Sequence, residues 1–61
     1  MKRRVLIKHL ELNNCNLKRE GANHSIFINL SNSKISAVPR HNEIKENLVL
    51  KICKDLEIPK P

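Results

Sequence analysis

His24 is the residue of this chain best suited to move a proton. Imidazole has an unperturbed pKa of about 6.5, so a single side chain both takes and returns a proton near neutrality. Its neighbours describe a turn: Gly21-Ala22-Asn23 precede it and Ser25-Ile26-Phe27 follow, which brings the only glycine close to the only aromatic residue. Glycine reaches positive backbone angles at no steric cost, so Gly21 predicts a tight turn that presents His24 at the mouth of the next strand. The plainer reading makes His24 a polar residue opening a strand. Lys18, Arg19 and Arg40 are placed by the sequence near the same end, and guanidinium forks suit phosphate oxygens. Their plainer reading is a solvated surface exerting general attraction.

The remaining histidines and thiols carry less. His9 lies between Val5 and Leu12 and reads as a hydrogen-bonded packing residue at the edge of the core. Cys15 and Cys53 lack C-x-x-C spacing, and His9, His24 and His41 lack the H-x-x-x-H spacing of a metal site, so no metal is assigned. Ordinary buried thiols are expected.

Charge narrows the partner class. Twelve Lys and Arg stand against six Asp and Glu, giving a net charge of +6 and a pI near 9.8, a surplus that attracts polyanions. Nucleic acid fits best. A basic membrane-surface binder would show an uninterrupted helix with Trp or Phe on its apolar face, which is missing here, so no membrane partner is expected. Met1-Lys2-Arg3-Arg4 has the charge of a signal-peptide start, but Lys8, His9 and Glu11 interrupt the apolar run that would follow, and a cytoplasmic chain is expected. Sixty-one residues make a single domain near the lower size limit, burying about 60% of the unfolded chain's surface.

Five elements must position these groups. From Lys2 to Asn13, Leu6, Ile7 and Leu10 share one stripe at helical spacing, flanked by Val5 and Leu12, with Arg4, Lys8 and Glu11 outward. Asn13 and Asn14 close that helix, because asparagine tolerates the left-handed conformation. Residues 15–20 read as a strand that ends in charged residues, Ser25 to Leu30 as a β-branched and aromatic second strand, and Lys34 to Val38 as a third strand after the Ser31-Asn32-Ser33 turn. Pro39 ends it. Leu48, Ile52 and Leu56 repeat at i+4 in a second helix, whose cap is Asn42 or Asn47, the later start being favoured. On a regular strand His24, Ile26 and Ile28 share one face and Phe27 the other; its size places Phe27 inward.

The order helix-strand-strand-strand-helix, an α+β arrangement with both helices on one face of a three-stranded antiparallel sheet, resembles the double-stranded-RNA-binding fold. A narrower match lies in the motifs: Leu6-Ile7-Lys8-His9-Leu10, Arg19-Glu20-Gly21 before Asn23-His24-Ser25-Ile26-Phe27, and Val38-Pro39-Arg40-His41 before Ile52-Cys53-Lys54-Asp55-Leu56. Over nearly its whole length the chain resembles the HicA-type mRNA interferase toxins. The resemblance implies an endoribonuclease that cuts mRNA, carries its catalytic histidine at His24, and is held inactive by a HicB-type antitoxin. The chain departs from the family where glycine is often found, with Asn14 after the first helix and Glu57 near the C-terminal Ile58-Pro59; Glu57 is strained if the left-handed conformation is kept.

The chemistry agrees by its own route. RNA supplies a nucleophile in its 2′-hydroxyl, so cleavage needs a base, an acid and charge at the phosphate, and no cofactor. With Phe27 as the only Phe, Tyr or Trp, base stacking does not dominate, and binding rests on phosphates and 2′-hydroxyls. Two other readings remain: a non-catalytic module binding duplex RNA by shape, which would not need His24, and a DNA regulator, for which Asn47, Lys51 and Lys54 are few base-reading residues.

Overall fold

The computed structural model describes all residues from Met1 to Pro61. Its elements are α1 (Arg3–Leu12), β1 (Cys15–Glu20), β2 (His24–Asn29), β3 (Ile35–Pro39) and α2 (Glu46–Leu56), with an antiparallel sheet of order β1-β2-β3. The second and third strands each lie about one residue from their expected limits, so that His24 opens β2 and Pro39 ends β3. Both helices cover one face. Leu6 and Leu10 of α1 and Val49, Ile52, Cys53 and Leu56 of α2 join Cys15, Phe27 and Val38 of the strands in one buried cluster. Val5 and Leu12, flanking the stripe, remain exposed at 48% and 78%.

Along β2 the burial alternates as the pleat requires. Ser25, Phe27 and Asn29 are buried, while His24 is exposed and Ile26 and Ile28 are half-buried on the opposite, open face. The expected facing of Phe27 therefore holds. Cys15 and Cys53 are free and buried, and desolvation raises both thiol pKa values, which keeps them protonated and inert.

The second helix starts at neither asparagine. Lys45 occupies the capping position with extended angles and no side-chain cap. The reason lies upstream, where residues 42 to 44 are drawn into a short ladder with the beginning of the chain: Arg3 N donates to Asn42 O at 2.8 Å, Lys2 and Glu43 form an antiparallel bridge, and Ile44 N donates to Met1 O at 2.8 Å. That ladder keeps the segment extended and turns Ile44 into the core, where it is 2% exposed. Helix formation begins where the ladder ends.

The β2–β3 hairpin fixes the phase of the sheet. Asn29 O accepts from Ser33 N and Asn29 N donates to Lys34 O, both at 2.8 Å, so Asn29 opposes two residues, with Ser33 at φ 65° in the left-handed position of a bulge. Counting from there, Phe27–Ser36 and Ser25–Val38 are hydrogen-bonded pairs, and Ile28–Ile35, Ile26–Ala37 and His24–Pro39 are not. Pro39 thus falls where no ladder donor is needed.

Left-handed residues also close both helices. Asn14 lies at φ 65° beyond α1, and Glu57 at φ 57°, ψ 46° beyond α2, where Ile58 N reaches Cys53 O at 3.0 Å and Glu57 N reaches Lys54 O at 3.1 Å. The carbonyl of Leu56 is taken by the side-chain amides of Asn29 and Asn32, at 2.8 and 3.2 Å. Glu57 keeps the strained geometry that glycine would adopt freely. Replacing Glu57 with glycine is expected to stabilise the fold by about 1 kcal/mol, raising the thermal midpoint by about 4–8 °C in a chain of this size. Thermal unfolding followed by circular dichroism checks it; an unchanged or lower midpoint would contradict the strain argument.

Candidate active site

His24 stands at the start of β2, exposed on the open face, with Pro39 as its cross-strand neighbour on β3. The turn before it is tight, but not for the expected reason. No glycine has a positive φ. What Gly21 supplies is room: its N–H donates to His24 O at 2.7 Å, and a Cβ at that position would stand 3.0 Å from the same oxygen. A side chain there would press on the backbone of His24 itself.

A bulge in β1 decides which charges share the open face. Leu17 pairs with Phe27 and Arg19 with Ile26, leaving Lys18 as the extra residue between them. In a regular strand Lys18 would oppose Ile26, and Arg19 would fall on the helix side. With the bulge, Arg19 lies on the His24 face, diagonal to it at a distance of about 7–8 Å between backbones, within reach of a long side chain. Glu20 moves to the opposite side, opposite Ser25.

Beneath the turn, side chains from α1, β1, β2 and the residue just after β3 form a chain of hydrogen bonds. Arg3 of α1 donates from Nε to Pro39 O and from Nη2 to Ser25 Oγ, both at 2.8 Å. Ser25 Oγ donates to Glu20 Oε1 at 2.6 Å, and Arg40 Nη2 reaches the same carboxylate oxygen and Gly21 O, each at 2.7 Å. Ser25 is 1% exposed, so its hydroxyl is satisfied as both donor and acceptor. The network braces both sides of His24: Gly21 before it, and Pro39 beside it.

The sequence-predicted cations therefore separate. Arg19 and Lys18 are exposed beside the open face, whereas Arg40 is committed through Nη2 to Glu20 and the turn. Arg3, Ser25 and Glu20 were not anticipated as site residues. Their partners lie 20 or more residues away in most of these bonds, and short-range patterns do not record such pairs. A small signal existed in Ser25, a hydroxyl at an inward β2 position that needs a buried partner. His9 does bond at the core edge, its Nε2 lying 2.7 Å from Pro59 O. No group of three or more His, Cys, Asp or Glu side chains converges to hold a metal ion.

The hydrogen bond from Ser25, followed by the charge of Arg40, holds the Glu20 carboxyl below its ordinary pKa. Glu43 is lowered by the N-terminal ammonium and Asp55 by Lys51. A carboxylate whose folded pKa lies below its unfolded value contributes stability that is complete above the unfolded value and is lost as pH falls through the folded one. Urea midpoints are accordingly expected to drop as pH falls through and below the ordinary carboxylate range. Glu20→Gln should flatten part of that slope and lower the midpoint at neutral pH. Parallel slopes for the parent and the variant would remove Glu20 from the account.

Fold and site together define a small, basic, two-layer α+β protein with a histidine and free cations on the uncovered sheet face. Residues 3–58 match the family described as HicA toxin of bacterial toxin-antitoxin, and the chain belongs to that family. It is thus a toxin with an antitoxin partner. Comparison with curated proteins and with solved structures gives no match. No helix is long and apolar enough to cross a membrane.

Proposed function

We propose that the chain is an endoribonuclease that cuts mRNA in the cytoplasm, with His24 as its proton-transfer residue, and that a HicB-type antitoxin holds it inactive. The observation that carries this reading is an exposed imidazole, fixed at the rim of an uncovered sheet by a braced turn, with Arg19 on the same face. In the reaction His24 removes the proton of the substrate 2′-hydroxyl. The 2′-oxygen attacks the adjacent phosphorus, the bond from phosphorus to the 5′-oxygen breaks, and that oxygen takes a proton from water or from the imidazolium. A 2′,3′-cyclic phosphate remains. Arg19 and Lys18 stabilise the charge that builds on the phosphate oxygens, and Arg40 adds its remaining guanidinium nitrogens while holding the turn.

Phe27 is 4% exposed, so the chain's one Phe, Tyr or Trp ring lies in the core and offers no stacking platform. Recognition through phosphates makes binding steeply salt-dependent and weakly selective for sequence.

The substrate tests the mechanism directly. RNA with a 2′-deoxy residue at the cut site should be inert, and cleavage of ordinary RNA should persist in chelator and leave a cyclic phosphate detectable by mass spectrometry. Activity lost in chelator and restored by a divalent ion would mean a metal-dependent nuclease instead.

A further inference from the structure

The two edges of the sheet differ. β1 is interrupted by the Lys18 bulge and carries Lys18, Arg19 and Glu20, devices that discourage another strand from pairing. β3 lacks them in its middle. With Phe27–Ser36 and Ser25–Val38 as the bonded pairs, the N–H and C=O groups of Ile35 and Ala37 point away from β2 along a free edge. The next outward carbonyl, that of Pro39, is already taken by Arg3 at 2.8 Å. An open run of backbone therefore lies between Lys34 and Pro39.

Side chains decide what fits it. Ile35, 51% exposed, and the exposed Ala37 stand on the open face beside Ile26 and Ile28, on the same face as His24. Exposed Lys34 and Arg40 flank the strand at its two ends. A second copy pairing antiparallel through β3 would set Lys34 of one chain toward Arg40 of the other, between molecules that each carry +6. An acidic chain meets no such repulsion. We infer that β3 receives an extended acidic segment of the antitoxin as a fourth strand, with apolar side chains over Ile35 and Ala37 and carboxylates toward Lys34 and Arg40. Backbone bonds supply affinity and the alternating side chains supply selectivity. The added strand brings the antitoxin to the rim of His24. The inference rests on the family's antitoxin partner and not on catalysis by His24.

Amide-resolved hydrogen exchange on the chain alone and co-expressed with its antitoxin tests it. The Ile35 and Ala37 amides should exchange freely in the isolated chain and become protected in the complex. Ala37→Pro removes a donor that the β2 ladder does not use, a position where edge strands tolerate proline. It should weaken antitoxin binding roughly 10- to 100-fold, as expected when a buried backbone acceptor loses its partner. A complex in which both amides exchange as in the free chain overturns the inference, and this is read on the unmodified chain even if the proline variant fails to fold. Protection that grows with the concentration of the chain alone would assign the edge to a second copy and overturn it equally. Neither readout depends on RNA cleavage.

Discussion

His24→Ala is expected to abolish RNA cleavage and growth arrest while leaving the fold intact. The side chain is exposed at the first residue of β2, and the contact that holds the turn there uses its backbone oxygen, which alanine keeps. Nothing in the core is lost. Proton transfer by a positioned side chain contributes about 10²- to 10⁴-fold in rate, so cleavage should fall by at least that range with an unchanged circular dichroism spectrum. His9 and His41 serve as controls: His9 is held by Pro59 O, and His41 lies beyond the end of β3. Alanine at either should leave the rate near that of the parent. If His24→Ala cut RNA as fast as the parent, the assignment of proton transfer to this residue would be wrong.

Phe27→Ala should have the opposite signature. Phe27 sits at the centre of the middle strand, 4% exposed, between Leu17 and Ser36 and beneath both helices. Removing a buried phenyl ring costs about 3–5 kcal/mol, which approaches the whole stability of a domain this small. The variant should be largely unfolded at room temperature. Ile26→Lys, one residue away on the open face, should fold, because Ile26 is half-buried and packs against no helix-side residue. Its effect should fall on antitoxin affinity if the antitoxin covers the open face, through a charge set into the apolar surface around Ile26 and Ile28. Urea unfolding of both variants beside antitoxin titration separates the two. An unfolded Ile26→Lys, or a stable Phe27→Ala, would reverse the assignment of faces.

The element order and the facing of the sheet were legible because they follow from local periodicity and size. Leu6 and Leu10, then Ile52 and Leu56, repeat at helical spacing, and a core this small has one place for its single phenyl ring. What escaped was set by contacts between distant residues. Ile44 stands alone among polar residues in the sequence, and its ladder with Met1 carries it inward. Asn42 and Asn47 had the composition of caps, yet Asn42 is engaged through its backbone by Arg3. Gly21 was read for positive φ, and steric clearance against His24 O proved to be its use. For the site, the position of His24 followed from turn chemistry, but the face taken by Arg19 depended on a bulge that an unbroken charged run does not announce.

That bulge bears on how the site tolerates the loss of a codon. Lys18 is surplus to the pairing, so its deletion would leave Arg19 opposite Ile26 and Glu20 opposite Ser25. Deleting Arg19 instead would let Lys18 slide into the vacated register. Either way one basic side chain remains on the His24 face and one carboxylate remains against Ser25. A shortened strand that elsewhere would turn its residues to the wrong side is absorbed here by a spare position.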